Sequence, residues 1–588
     1  MVDPSRYFSI QREDARARVA EYFAAQGDFK LLTESDEISA NYKNVDTWAG
    51  SILIESESWP IIFIFGRFFP TDPPLVICPK AKKLYLTNPH VLEGGYLCIL
   101  SDSSSVNTSN IEDLLSHFLY SARKILSGTS DADFREEFSS YWNRKVSDSK
   151  KECLIVSSPQ LLEKTFYVLW GEKLILISHD EPHLNQWWRN YLEDSKELSL
   201  ANDGVCVDID SPLIPSEYPE NSFDLLELVK TRDKRAYDLL SEKLSWTSKS
   251  ILVLLRQKTD NGFSLGCAEL KGPRLIKYKK HHHGFRPGHI PTSILIQRSG
   301  EILRDTAVNR HKVKRMDYDW IHSRGGDGRN YASKSIAIIG CGSVGGYIAH
   351  TLAKSGIGRL LLVDKEKLEW ANIGRHVLGA HYVGLSKVEA LRRHITKEMP
   401  HLNIDTKIGN WQELYEENNA LFDGFDAIIV SIADWKYEKP LNYLSLKKLV
   451  PTVLFTWLEP YAVAGHCFVS SNKGCLNCHM NELGQFTHAV SELKDGTLKR
   501  EPGGCTFYQP YGPTMLLHTV IMSCRVLLKH LINPIDSTLY TWISDEDHFN
   551  DIEGNITEEW SEPIREKGYS RVYENVLTNG YCEICSQG

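Results

Sequence analysis

A short apolar run, Ser335–Ile339, opens directly onto Gly340-Cys-Gly342-Ser-Val-Gly345 and then onto a helical run, Tyr347–Lys354; no other stretch of the 588 residues restricts the fold as tightly. A strand that turns on glycines and leaves as a helix brings bare backbone up to a phosphate. The helix start then offers the phosphate unpaired N–H groups and a positive dipole end. A second apolar strand, Leu360–Val363, ends at Asp364, 24 residues after Gly340, where a carboxylate can accept hydrogen bonds from ribose hydroxyls. From about 311 to 588 the chain keeps alternating strand-like and helix-like patterns, so this part reads as α/β, a Rossmann-like parallel sheet covered by helices.

A glycine turn and a ribose carboxylate suit NAD as well as ATP. Three further features favour ATP. Asn372 and Arg375 follow the carboxylate in ANIGRH, and Lys387 follows in GLSKVEALRR. Two cations here suit a triphosphate, whose charge grows as pyrophosphate leaves. Asp434, after the apolar run in IIVSIADW, can hold Mg²⁺, which takes one or two carboxylates plus phosphate oxygens. This ordered set resembles the ThiF/MoeB superfamily of ubiquitin-activating-type adenylating enzymes. The resemblance implies attack on the α-phosphate of ATP by a protein's C-terminal carboxylate, giving an acyl-adenylate and pyrophosphate. It also implies a homodimer and an arginine that reaches the phosphates, for which Arg315 and Arg324 are the candidates.

The cysteines divide by context. Cys475 and Cys478 form one C-x-x-C, and Cys582 and Cys585 another, which together make four soft ligands for a structural Zn²⁺. Cys505 lies between the pairs in EPGGCTFYQPYGP, a loop context, just before an apolar helical run at Met515–Leu528. A cysteine near a helix start gains thiolate character, and thioester-forming relatives in the resembled superfamily carry a similar cysteine in this loop. Cys78, Cys153, Cys206, Cys267, Cys467 and Cys524 sit in or beside apolar or strand-like sequence and are expected in cores. An odd total of 13, with no export signal, is not a disulfide framework.

Residues 1 to about 145 read as a separate unit. An amphipathic segment (Asp14–Ala25) is followed by strand-like runs (Trp48–Glu55, Ile61–Phe65), the turn FFPTDPP, a loop holding Cys98 and a helical pattern at Asn110–Leu126. The stretch from Phe68 to Leu100 resembles the core of a ubiquitin-conjugating enzyme, an α+β fold. Pro70, Pro73 and Pro74 fill the proline turn, Asn88-Pro89-His90 stands at the His-Pro-Asn motif, and Cys98 follows His90 by eight residues. The order is reversed: His90 occupies the family's Asn position and Asn88 its His position. Either side chain can donate a hydrogen bond to a developing oxyanion. Asp102, just beyond Cys98, reads as a solvated loop carboxylate.

Between about 146 and 310, strand-like runs (Thr165–Leu169, Leu174–Ser178, Ile251–Leu255, Thr292–Ile296) suggest a middle α/β or α+β domain, and KYKKHHHGFR (277–286) reads as a solvated loop. A net charge of -9 argues against a nucleic-acid partner. The N-terminus lacks a signal-peptide pattern, and no stretch reads as a continuous apolar span of about 18 residues, so neither a membrane nor export is expected and the location is cytoplasmic.

The order of modules resembles the fused enzyme of bacterial CBASS antiphage operons. That resemblance implies ATP-dependent activation of the C-terminus of a cGAS-like nucleotidyltransferase, a thioester on Cys505, transfer to Cys98, and conjugation to an amine of a lysine-bearing target. The rivals are a sulfur-carrier adenylyltransferase, which needs no Cys98 module, and a protein-binding scaffold built on two retired folds.

Overall fold

The computed structural model describes residues 4–32, 45–100, 110–128, 131–146, 151–192, 201–246, 250–260, 262–271, 284, 292–325, 329–471, 474–492, 499–500, 507–508, 510–552, 554–576, 582 and 584–585. Two compact units result, one drawn mainly from residues 1–314 and one mainly from 315–588.

The first unit begins with the helix Pro4–Gln26 and an antiparallel four-stranded meander of Lys30–Leu31, Asp46–Ile54, Glu57–Phe65 and Leu75–Ile77. Period-two alternation explains why Glu57–Phe65 is apolar throughout its second half. Ile61, Phe63 and Phe65 face the core shared with Val19, Phe23, Leu115 and Phe118 of two helices, while Ile62 and Ile64 pack on the other face with Ile77. The helix Ile111–Leu126 starts where Asn110 accepts the backbone N–H of Asp113 at 3.3 Å.

The same unit contains a closed seven-stranded barrel in the order Gly262–Lys271, Asn309–Arg315, Glu152–Ile155, Leu174–Ser178, Thr165–Trp170, Ala201–Asp208, Ser250–Thr259. Its strands fill one face with Ile155, Phe166, Ile175, Cys206, Leu254 and Cys267. The other face packs on the helices Ser222–Arg232 and Lys234–Trp246 through Val205, Val253, Leu226 and Leu240. The strand expected at Thr292–Ile296 is instead a helix, Thr292–Arg298. Five residues are too few for periodicity to separate a strand from a buried helical turn.

The second unit is an eight-stranded sheet in the order Asn403–Ile408, Arg359–Asp364, Ser335–Ile339, Ala427–Val430, Val453–Leu458, Ala464–Val469, Thr538–Ile543, Arg571–Val576. The first five strands run parallel and the last three continue antiparallel. The helices Ser343–Lys354, Lys387–Glu398 and Pro513–Ile532 cover one face, and Trp411–Glu417 and Trp435–Leu446 the other. From Ser335–Ile339 the chain moves first to one side of that strand and later to the other. The order therefore reverses beside it, and a crevice opens at the strand ends Gly340 and Ser431.

One expectation needs correction here. The helix Pro513–Ile532, 20 residues long, is apolar enough by length and composition to cross a membrane. Arg525, Lys529 and the histidines hid this in the sequence. Leu516, Val520 and Leu527 are fully buried in the core against the helix Ser343–Lys354 and the sheet, so the apolar composition serves packing.

Candidate active site

The glycine turn is built as its spacing requires. Gly340 adopts φ +87°, a left-handed conformation that disfavours any side chain. Gly345 lies one helical turn above it, where a Cβ would stand 1.9 Å from the Gly340 carbonyl oxygen and 2.4 Å from Ser431 Oγ. Ser431 Oγ donates to that same carbonyl at 2.8 Å and so ties the turn to the neighbouring strand end. Gly342 caps the helix Ser343–Lys354, and no atom lies within 4 Å of where its Cβ would be.

Two adjoining cavities of about 330 and 450 Å³ share Gly342, Glu366, Ser431 and Ile432. The first is lined by Gly340, Asp364, Trp411 and Asp434, the second by Asn372, Arg375 and Lys387. Seven of the eight nucleotide-site residues expected from sequence thus line one continuous crevice. The eighth, Gly345, supports it from beneath.

Each charged group has a distinct setting. Asp364 accepts the backbone N–H of Cys341 at 2.7 Å and of Glu366 at 2.8 Å, which fixes its carboxylate at the strand end. Lys387 is the first residue of the helix Lys387–Glu398, is buried, and pairs with Glu366 Oε2 at 2.5 Å. Arg375 lies over the Tyr511 ring at 4.9 Å and forms no ion pair among the described residues. Asn372 Oδ1 accepts the Glu369 N–H at 3.0 Å. His376 Nε2 lies 2.9 Å from the Cys341 carbonyl and its Nδ1 accepts the Leu378 N–H. Nε2 therefore carries the proton and donates, and burial lowers the ring's pKa. Asp434 caps the helix Trp435–Leu446, accepting from Lys436 N at 3.1 Å. Four residues on, Glu438 is buried under the turn and accepts the Ala433 N–H at 3.1 Å; burial pushes its pKa up to about 7.

Sequence reasoning missed Glu366, Trp411, Tyr437, Trp457 and Tyr511 in this crevice. Glu366 was the most accessible of these, two residues after Asp364. The others enter from elements far along the chain, Trp411 and Tyr437 from helices, Trp457 from a strand and Tyr511 from a loop, with no local signal. Of the two arginine candidates, Arg315 is committed to a bidentate pair with the fully buried Asp317 at 2.7 and 2.8 Å. Arg324 stacks on Trp320 at 3.3 Å.

Cys475 and Cys478, from the middle of this unit's sequence, converge with Cys582 and Cys585 near its C-terminal end. Their sulfurs stand 3.8 Å (Cys475–Cys478), 3.7 Å (Cys475–Cys582) and 3.4 Å (Cys478–Cys585) apart, all four within 4.8 Å. Four thiolates at about 2.3 Å from a tetrahedral zinc lie about 3.8 Å from one another, so this donor set fits Zn²⁺. The six cysteines expected in cores are all buried.

In the first unit, Cys98 is half-buried, and its N–H donates to the His90 carbonyl at 2.8 Å. His90 adopts φ +63°, and its own N–H donates to the Tyr141 hydroxyl at 2.9 Å. Gly95, at φ +85°, passes so near Cys78 that a Cβ would lie 2.4 Å from the Cys78 carbonyl oxygen. The cysteine loop is therefore held through backbone contacts: His90 to Cys98, Gly95 to Cys78, and Asn88, whose carbonyl accepts the Val91 N–H at 3.4 Å. Tyr141 was not foreseen; it arrives from a helix 51 residues beyond His90. Cys505, Asp102 and the three histidines 281–283 lie outside the described residues.

A Rossmann-type sheet with a glycine turn, a carboxylate at the next strand's end and two cations along the same crevice has the frame of a nucleotide-binding domain. Residues 324–541 match the ThiF family, and residues 28–150 match prokaryotic E2 family B. "ATP-dependent ubiquitin transferase-like protein Cap2" of Escherichia coli (strain TW11681) is 23% identical over 489 residues, covering 75% of this chain and 80% of that protein. "Ubiquitin-like modifier-activating enzyme 5" of Caenorhabditis briggsae is 32% identical, covering 39% of this chain and 56% of that protein. The chain spans about half the length of the modifier-activating relatives it matches. Among solved structures, "Crystal structure of E. coli MccB + ATP" aligns over 52% of this chain and 76% of that one, at 14% identity and a TM-score of 0.31.

Proposed function

We propose that this chain activates a protein's C-terminus with ATP and conjugates it to an amine through two successive thioesters. The observation that carries this reading is the continuous crevice with Asp364 at one end and Asn372, Arg375 and Lys387 at the other. A nucleoside fits the first end and a polyphosphate with an incoming carboxylate fits the second. A dinucleotide's pyrophosphate carries about two negative charges against about four on ATP, so ATP gains more from the two cations, above all as pyrophosphate leaves.

The carboxylate oxygen attacks the α-phosphorus and pyrophosphate leaves. Arg375 and Lys387 take up the charge that develops as it departs. The Cys505 thiolate then attacks the acyl carbon and AMP leaves. The Cys98 thiolate attacks in turn and the Cys505 thiolate leaves. Finally a lysine amine attacks, loses its proton, and Cys98 is released. Each step preserves an activated acyl group. At Cys98, the loop fixed by His90 and Tyr141 presents the thiol, while the His90 or Asn88 side chain donates to the oxyanion.

Asp434 is the ligand this chain offers Mg²⁺, which would neutralise phosphate charge. The four cysteines would hold Zn²⁺, tying residues 582 and 585 to the domain body. The match over 75% of this chain to an E. coli protein named as ATP-dependent ubiquitin transferase-like supports conjugation as the reaction; the passenger in this reading is a cGAS-like nucleotidyltransferase of CBASS defence, with a lysine-bearing acceptor, a homodimeric enzyme and a cytoplasmic location.

The test is ATP–pyrophosphate exchange with a nucleotidyltransferase bearing a free C-terminus and with the same protein ending in an amide. Exchange is expected only with the free carboxylate. Exchange that is absent with both, or equal with both, overturns the reading.

A further inference from the structure

Away from the crevice, three ligand-type side chains converge on the surface of the second unit. His350 on Ser343–Lys354 meets His394 and Glu398 on Lys387–Glu398, and their donor atoms all lie within 4.8 Å. His394 and Glu398 are one turn apart and share a helix face; His350 comes from the neighbouring helix. His350 Nε2 is 3.1 Å from Glu398 Oε2, and His394 Nε2 is 3.6 Å from Glu398 Oε1. Ligands about 2.0–2.2 Å from a tetrahedral ion stand about 3.3–3.6 Å apart, so the three groups need little movement to share one.

We propose that His350, His394 and Glu398 form a second metal site, one that takes a divalent transition ion such as Zn²⁺ and leaves its remaining positions to water. Two imidazoles and a carboxylate suit Zn²⁺, Ni²⁺ or Cu²⁺, whereas Mg²⁺ and Ca²⁺ favour all-oxygen sets. The resident competitor is Lys354, whose ammonium lies 2.6 Å from Glu398 Oε2 and has to swing away.

The position gives the site a consequence. Gly342 caps one of these helices and Lys387 begins the other, so both start at the phosphate end of the crevice. An ion clasping their other ends fixes the spacing between the glycine turn and the phosphate-side lysine.

The test is ZnSO₄ titration of the full chain, with affinity read by a competing chromophoric chelator and zinc counted per chain by mass spectrometry. The His350→Ala/His394→Ala variant is expected to bind one zinc fewer. Each single variant should bind that zinc about 100-fold more weakly, at or above the loss from removing a merely supporting partner. Lys354→Ala frees the carboxylate and should tighten binding about 2- to 5-fold, the range an exposed ion pair is worth. With CoCl₂ as the probe, the ion at this site should add no thiolate-to-cobalt absorption, which separates it from the four-cysteine cluster. A double variant with a wild-type circular-dichroism spectrum and wild-type zinc count and affinity overturns the proposal. Unchanged or weakened binding in Lys354→Ala overturns the assignment of Glu398.

Discussion

Replacing Gly345 by alanine tests the physical basis of the nucleotide turn with a single methyl group. The new Cβ would stand 1.9 Å from the Gly340 carbonyl oxygen and 2.4 Å from Ser431 Oγ, against an ordinary contact of 3.4 Å or more. The nearer neighbour is backbone, and the other, Ser431 Oγ, can turn away only by giving up its hydrogen bond to that backbone oxygen. Either the helix Ser343–Lys354 shifts by more than 1 Å, or the Gly340 carbonyl rotates and loses the 2.8 Å hydrogen bond from Ser431. Overpacking costs about 1–3 kcal/mol and the lost hydrogen bond about 1 kcal/mol. Alanine's better helix propensity returns up to about 1 kcal/mol, which leaves a net loss of about 1–3 kcal/mol. In a domain of this size each kcal/mol lowers Tm by about 2–4 °C, readable by calorimetry. The effect on chemistry should be larger, because a misplacement of about 1 Å in a positioning element costs about 100-fold in rate. Pyrophosphate exchange should therefore fall by about two orders of magnitude in a protein that still folds. Wild-type Tm together with wild-type exchange would refute the claim that this helix–turn contact sets the phosphate site.

Arg375→Ala and Lys387→Ala should each lower exchange by about 100- to 1,000-fold, as loss of a transition-state charge partner does. Their Tm values should stay near wild type, since Arg375 makes no ion pair among the described residues and Glu366, the partner of Lys387, keeps 58% of its side chain exposed; a Tm collapse would make both structural. Tyr141→Phe removes the acceptor of the His90 N–H and should cost about 1–3 kcal/mol. It should slow transfer to Cys98 without changing pyrophosphate exchange, and unchanged transfer would contradict the loop's assigned role. Glu438 binds its proton more tightly when folded, with a pKa of about 7 against 4.5 unfolded. Its contribution therefore favours the fold at low pH, declines as pH rises from about 4.5 to 7, and is flat above. Denaturant unfolding of Glu438→Gln should lack that decline; parallel pH profiles for both proteins would contradict it.

The crevice was legible because strand, turn and helix are local events. Gly340, Asp364 and Lys387 each announce themselves within a few residues, and the fold brings them together through a topology that βαβ alternation already implies. Trp411 and Tyr511 were not legible, since their place depends on where whole elements dock. His90 shows a middle case. Its spacing to Cys98 could be read from sequence, yet the structure shows its backbone, at φ +63° and bonded at both ends, fixing the loop. The helix at Thr292–Arg298 went unread because a short β-branched run satisfies either periodicity. The helix Pro513–Ile532 was legible as the apolar run Met515–Leu528, but not at its full 20 residues, because Lys529, His530 and the flanking Pro513 break the pattern at its ends.

The most direct measurement is mass spectrometry of the intact chain after mixing with ATP, Mg²⁺ and the nucleotidyltransferase under non-reducing conditions. Wild-type protein should carry the passenger as a thiol-labile adduct on Cys98. Cys98→Ala should hold it on Cys505, and Cys505→Ala should hold it on neither sulfur while still exchanging pyrophosphate. Passenger on Cys98 in the Cys505→Ala protein would contradict the order of transfer, and no thiol-labile adduct in any of the three would contradict the thioester route itself.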